Sequence, residues 1–219
     1  MTSIVSTRSP LRALVCAMAL AFPAFAGAGT PLLVTDYAMS NGRTGSYNYR
    51  DFTYVPCGGV CDVSSASLSG GTGKLTDGVM PADSWSDYGW YTPWVGWVDF
   101  DPVITFNFGA KVHIDSMTIW VDNTPTFGDV RNPASVEIGG VSHSISPDSV
   151  WGPRAYTFSG LGIDGASVTV KLNRDSGRYW MMVGEVSFNG TPPVPEPETY
   201  AMMLAGLGVL GALARRRKA

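Results

Sequence analysis

The sequence predicts an all-β sandwich, on three observations. No segment between Gly29 and Pro193 carries apolar residues at a 3.6-residue period over three turns. Short apolar or alternating runs are instead separated by Gly, Pro and Asp turns, the pattern of many short strands in two layers. Asp outnumbers Glu heavily and Gly, Ser and Thr are plentiful, residue types that favour turns and strands over helices.

The elements follow in order. Leu32 to Met39 suits a first strand, and Asn41-Gly42 marks a turn. Tyr47, Tyr49, Phe52 and Tyr54 alternate roughly and suit a half-buried strand or hairpin. Cys57 to Gly73 reads as irregular, and Lys74 to Gly78 as a turn leading inward. Val103 to Phe108 is a strand with Ile104, Phe106 and Phe108 on one face, and Gly109-Ala110-Lys111 turns the chain. Val112 to Val121 is a long strand with a break near Asp115-Ser116, and Asp122 to Pro133 is a polar loop. Ser135 to Ile138 and Val141 to Ile145, joined by Gly139-Gly140, form a hairpin. Tyr156 to Phe158, Ala166 to Leu172 and Tyr179 to Phe188 complete the strands.

Both ends read as processing segments. Arg8 and Arg12 precede the apolar run Ala13 to Phe22, followed by small residues at Ala24, Ala26 and Ala28. That is the layout of a secretory signal peptide over residues 1–28, cut after Ala26 or Ala28, with Cys16 discarded in the leader. At the other end Val194-Pro195-Glu196-Pro197 breaks from the body, because proline continues neither strand nor helix. An uncharged run from Thr199 to Ala214 and the cluster Arg215, Arg216, Arg217, Lys218 follow. Tyr200 to Ala214 as a helix is roughly 22 Å long, short of the roughly 20 residues of a comfortable spanning helix, and its basic end would stay cytoplasmic.

These tail residues resemble the PEP-CTERM sorting signal of bacterial surface proteins. The resemblance implies an exosortase-type membrane protease as partner, cleaving near Pro195-Glu196-Pro197. It also implies transient inner-membrane insertion through residues 199–214 and release to the cell surface, extracellular matrix or exopolysaccharide. The expected organisation is a leader at 1–28, a β-sandwich at 29–190, and a linker with the sorting segment at 191–219.

Without its ends, the body from Gly29 to Pro193 is of one-domain size. It keeps nine Lys or Arg against sixteen Asp or Glu, a net of −7 that the whole-chain −3 conceals. An acidic body with no basic cluster argues against nucleic acid as a partner, because such binding neutralises phosphates. Cys57 and Cys61, in Cys-Gly-Gly-Val-Cys, are in an oxidising compartment most simply a disulfide across a glycine-permitted loop. A redox-active or zinc role would want Cys-x-x-Cys spacing or further ligands.

Three segments, in order, are similar to galactose-binding-like, discoidin-type jelly rolls: Lys74-Leu75-Thr76-Asp77-Gly78 followed by Trp85; Trp97 to Gly109 running into Val112 to Asn123; and Gly177 to Gly190. The chain departs from that pattern at Asn107-Phe108-Gly109, where such families often carry Asp-Leu-Gly, and in lacking a cysteine pair that ties the termini. The resemblance implies a jelly-roll β-sandwich and one structural calcium near the Asp77-Gly78 turn. Calcium takes six to eight oxygens. Asp77, Asp83 and Glu185 would supply carboxylates and Lys74 a carbonyl, against the reading of a solvated Asp and an ion-paired Glu.

The residues themselves suggest a glycan platform. Four of the seven tryptophans lie between Asp83 and Asp101. Trp85, Trp90, Tyr91 and Trp94, beside Asp83 and Asp87, could stack on sugar rings while carboxylates accept hydroxyl hydrogen bonds. The competing reading for any one of them is core packing, which Trp97 is expected to adopt. No Gly-x-Ser-x-Gly elbow and no His-Glu-x-x-His helix occurs, and His113 and His143 fall on strand faces. The expected role is therefore non-enzymatic: a secreted matrix protein that associates with exopolysaccharide through weak, calcium-supported glycan binding. Two alternatives stand beside it, a carbohydrate-active hydrolase using Asp99 or Asp101 and a purely structural matrix component.

Overall fold

A computed structural model describes residues 29–88, 92–126, 128–147, 149–175, 177, 179–192, 202–207 and 210. The leader, Trp90, Tyr91, Pro195, Glu196, Pro197, Arg215, Arg216 and Arg217 lie outside the described residues. The strands are β1 (Thr30–Leu32), β2 (Asp36–Ser40), β3 (Ser67–Gly71), β4 (Val95–Val98), β5 (Val103–Asn123), β6 (Ser135–Ile138), β7 (Val141–Ser144), β8 (Gly152–Asn173) and β9 (Trp180–Thr191). A one-turn 3-10 helix spans Trp85–Asp87.

Two long strands make the layers. β5 and β8 pair antiparallel as one ribbon, from Val103 opposite Lys171 to Asn123 opposite Gly152. The ribbon's register breaks between Asn107 and Val112, where Gly109 takes a left-handed φ of 71° that a side chain would resist. On one side of that corner, residues 103–107 lie between β2 and the end of β8, with β3 beyond β2 and the β6–β7 hairpin beyond β8. On the other side, residues 113–121 lie between β8 and β9, with β1 and β4 sharing the far edge of β9. The body is thus an all-β, two-layer antiparallel sandwich of jelly-roll type.

Alternation fills the space between the layers. Ile104, Phe106 and Phe108 point inward from the first half of β5, and Ile114, Met117, Ile119 and Val121 from the second. Phe188 of β9 meets Phe106 and Phe108 at ring-centroid distances of 5.1 and 5.3 Å in edge-to-face contacts across the layers. Each such ring contributes about 2–3 kcal/mol by leaving water. The β6–β7 hairpin has the expected register, and Gly139 and Gly140 supply the two positive φ angles, 57° and 88°, that its tight turn requires.

Several elements differ from expectation. The first strand is two, β1 and β2, because residues 33–35 leave the sheet edge and Thr35 donates its N–H to the Asn107 carbonyl. Tyr47 to Tyr54 forms no hairpin, because its backbone bonds are local: Tyr47 N–H donates to the Thr44 carbonyl and Tyr54 N–H to the Asp51 carbonyl. The stretch read as irregular contains β3, which pairs with β2. The pairs of strands expected from 103 to 121 and from 156 to 172 are each continuous, because the irregularity between Asn107 and Val112 and a second one between Ile114 and Ser116 bend the ribbon without ending it.

Candidate functional site: an aromatic cleft on the outer face

The chemistry gathers outside the sandwich, around the start of β9. Met181 and Val183 of β9 join the core between the layers, while the alternate residues Trp180 and Met182 face outward. There Met182, Trp94 and Val130 form a second apolar cluster, with Tyr49, Trp85, Tyr88 and Trp180 packed against it. Three segments distant in sequence supply the rings.

The first segment is the loop from Asn41 to Asp51. It is laid along β4 by Gly96 N–H donating to the Tyr49 carbonyl at 2.8 Å and Val98 N–H to the Arg43 carbonyl at 3.0 Å. Arg50 donates to the Tyr47 carbonyl at 3.0 Å and to Asn48 Oδ1 at 3.2 Å, fixing the tip. The second segment carries Trp85. Its N–H donates to the fully buried Asp122 carboxylate, which also accepts from Ser84 Oγ at 2.9 Å and from Thr124 Oγ1. The third is the start of β9, which a single bridge joins to Val130 at Trp180: its N–H donates to the Asp129 carbonyl, and its own carbonyl accepts from Arg131 N–H.

Tyr47, Tyr49, Trp85, Gly128, Val130, Trp180 and Met182 line a cleft of about 180 Å³. Tyr49 stands edge-on to both Trp85 and Trp180 with centroids 5.7 Å apart, and Tyr47 lies 5.8 Å from Trp180. Tyr47 is 61% exposed and forms the rim. Burial, with the neighbouring Tyr47 second, pushes the Tyr49 hydroxyl above its ordinary range, so it stays a neutral hydrogen-bonding group at physiological pH. Among the described residues the lining carries no charged side chain.

Of the residues singled out from sequence, Trp85 reaches this cleft. Trp94 does not line it: the ring is fully buried in the cluster beneath the cleft, and Gly184 leaves room for it. Asp87 is exposed on the one-turn helix and does not line the cleft. Trp97 is buried, as expected. Sequence reasoning missed Tyr47, Tyr49 and Trp180. The signal for Trp180 was its spacing of two from Met182, which puts both on one strand face. The tyrosines were assigned to a strand that does not form.

The Asp77-Gly78 turn meets β9 at Glu185. Glu185 is 5% exposed, and its Oε2 accepts from Gly78 N–H at 3.2 Å. Burial, with Asp77 nearby, pushes its carboxyl up to about 8. Asp77 caps its own turn by accepting from Val79 N–H at 2.8 Å, and burial raises it as well. Lys74 turns its ammonium inward, donating to the Arg50 carbonyl at 2.8 Å over the Phe52 ring, and desolvation lowers it to about 8. Among the described residues no three His, Cys, Asp or Glu side chains gather in one place, so Asp83 does not complete a carboxylate trio with Asp77 and Glu185.

Asp99 and Asp101 both engage Arg174: its Nε donates to Asp101 at 2.8 Å, and a terminal nitrogen lies 3.4 Å from Asp99. The sulfurs of Cys57 and Cys61 are joined, closing a tight exposed loop. A larger groove of about 390 Å³ runs between Asn123, Asn132, Asp175 and Tyr179, but its cation, Arg131, is occupied by Asp129 at 2.6 Å.

No curated protein matches the chain in sequence. Solved structures resemble it loosely. One is the family 32 carbohydrate-binding module from Clostridium perfringens NanJ, in complex with galactose. It is 14% identical, covers 52% of this chain and 81% of its own, and has a TM-score of 0.32. A chain of the Streptococcus pneumoniae β-galactosidase BgaA is 10% identical, covers 74% and 99%, and scores 0.44. A fucolectin from striped bass, Morone saxatilis, is 12% identical, covers 74% and 79%, and scores 0.35. The fold stands on its own strand register rather than on these likenesses. In the tail, residues 202–207 are helical, and no described helix is long and apolar enough to cross a membrane. Residues 193–218 match the PEP-CTERM protein-sorting motif, so the chain carries the sorting signal of an exported protein targeted to the cell surface.

Proposed function

We propose that the exported body is a non-enzymatic glycan-binding domain whose site is the cleft of Tyr47, Tyr49, Trp85 and Trp180. One observation carries the reading: aromatic rings from three separate segments converge on one outward-facing cleft of about 180 Å³, roughly the size of one sugar ring. Aromatic faces take up the apolar C–H face of a pyranose, and the Tyr hydroxyls and loop carbonyls at the rim can bond its hydroxyls. The two carboxylates considered for hydrolysis share Arg174 instead of facing a common bond. In this reading an exosortase-type protease cuts near Pro195-Glu196-Pro197 after transient insertion of the tail, and the freed body associates with exopolysaccharide.

The proposal extends to calcium. Carboxylates of Asp77 and Glu185 and the carbonyl of Lys74 would supply part of its oxygen shell, with further carbonyls and water completing it. Affinity electrophoresis through gels cast with a neutral galactan, a dextran or a polygalacturonate tests the glycan reading. Retardation of the wild type that is lost in Trp180→Ala supports it. Unchanged migration of the wild type in all three gels, with and without calcium, leaves a purely structural matrix component.

A further inference from the structure

The loop that presents Tyr47 and Tyr49 is gripped by one buried side chain, and that side chain is held by the cystine loop. Asn41 is fully buried. Its Oδ1 accepts from Gly42 N–H and from Asp51 N–H, both at 2.8 Å, so a single atom closes the two ends of the loop. Its Nδ2 donates to the Cys61 carbonyl at 2.9 Å and to the Val63 carbonyl at 3.4 Å. A second tie runs beside the first: Thr44 N–H donates to Ser64 Oγ at 3.0 Å, and Ser65 N–H to the Gly42 carbonyl at 3.2 Å. Residues 57–65 run through turns and bends, with no strand pairing to hold those carbonyls in place. The bond between Cys57 and Cys61 is their covalent restraint.

Resting on the cleft as the glycan site, we infer that Asn41 is its positioning residue and that it makes glycan binding depend on the redox state of Cys57 and Cys61. With the disulfide intact, the Cys61 and Val63 carbonyls orient the Asn41 amide, whose oxygen then fixes the spacing of Gly42 and Asp51 and the aim of both tyrosines. A dithiol reductant supplies two electrons. The sulfur–sulfur bond breaks, each cysteine takes a proton and leaves as a thiol, and the reductant closes to its own cyclic disulfide. The turns of 57–65 then widen, because a closed loop loses its entropic restraint, and Asn41 loses its fixed acceptors. The bonds of Tyr49 and Arg43 to β4 remain, so the loop shifts rather than unfolds. The redox state acts through a buried amide and not by contact with sugar.

The full-length chain in detergent, with and without dithiothreitol, tests this by three measurements well below its melting temperature: galactan gel retardation, near-ultraviolet circular dichroism in the long-wavelength tryptophan bands, where cystine itself contributes little, and far-ultraviolet circular dichroism. Reduction is expected to weaken retardation roughly five- to tenfold, the scale of about one displaced buried hydrogen bond. It should also change the near-ultraviolet signal and leave the far-ultraviolet spectrum alone. The double variant Cys57→Ser with Cys61→Ser should match the reduced wild type and ignore the reductant, and Asn41→Ala should bind weakly in both states. If Asn41→Ala does not fold, the cysteine double variant still decides. A lower melting temperature with unchanged near-ultraviolet signal and unchanged retardation would overturn the inference and leave the cystine merely structural. If the wild type shows no retardation in any gel, the cleft reading fails, while the near-ultraviolet response to reduction still accepts or rejects the coupling.

Discussion

Gly128 lies against the edge of the Trp85 indole: at φ 69° it has no side chain, and a Cβ there would stand 2.5 Å from Trp85 Cζ2. Any larger residue must displace the ring and accept a left-handed backbone. Gly128→Ala is therefore expected to cost about 1–2 kcal/mol of stability and to push Trp85 out of the cleft. Chemical denaturation measures the first effect and galactan gel retardation the second. Wild-type retardation in a folded Gly128→Ala protein would mean that Trp85 is not part of the site.

Trp94 and Trp180 separate folding from binding. Trp94 is wholly enclosed by the outer cluster, so Trp94→Ala leaves a large cavity and is expected to cost about 3–5 kcal/mol. Trp180 is half-buried at the cleft, so Trp180→Ala is expected to cost less stability while removing glycan retardation. Melting curves and gel mobility of the two variants should therefore rank in opposite orders.

A buried carboxylate ties the cleft loop to the inner sheet. Asp51 accepts from the Tyr37 hydroxyl, from Thr53 Oγ1 at 3.2 Å and from Lys74 N–H at 3.1 Å, and Gly73 leaves no room for a side chain beside it. Asp51→Ala strands these donors, and a loss of about 3–5 kcal/mol is expected in urea denaturation. An effect below about 1 kcal/mol would show the network to be dispensable.

Glu185 sets a pH dependence with a definite sign. Its folded carboxyl is raised to about 8 from an ordinary 4.5, so the folded state holds its proton more tightly. That contribution is complete below pH 4.5 and is lost as pH rises to 8. Lys74, lowered to about 8 from 10.5, adds stability again above pH 8. In chelator, the melting temperature of wild type minus that of Glu185→Gln should therefore fall between pH 5 and 8. Calcium, which needs the ionised carboxylate, should raise wild-type melting most at pH 8 and leave Glu185→Gln unmoved. Equal effects of calcium on both proteins would exclude Glu185 as a ligand.

What was legible in the sequence was local. Alternation in Ile104-Thr105-Phe106-Asn107-Phe108 gave the inward face, because side-chain period is a property of one strand alone. Gly139-Gly140 gave its hairpin, because two left-handed residues dictate a single turn, and residues 193–218 stated an address, because a sorting signal is read as linear sequence. The tertiary structure alone decided which aromatics are presented. Trp85 and Trp94 share a tryptophan-rich stretch, yet one lies at the cleft and the other beneath it, since β4 pairs with β9 and carries Trp94 under the loops. Tyr47 and Trp180 meet because the loop of Tyr47 is laid along β4 and β4 pairs with β9, which brings residues more than a hundred positions apart to one outer face. Which face of a strand is covered is set by what packs on it, and that partner is chosen by the whole chain.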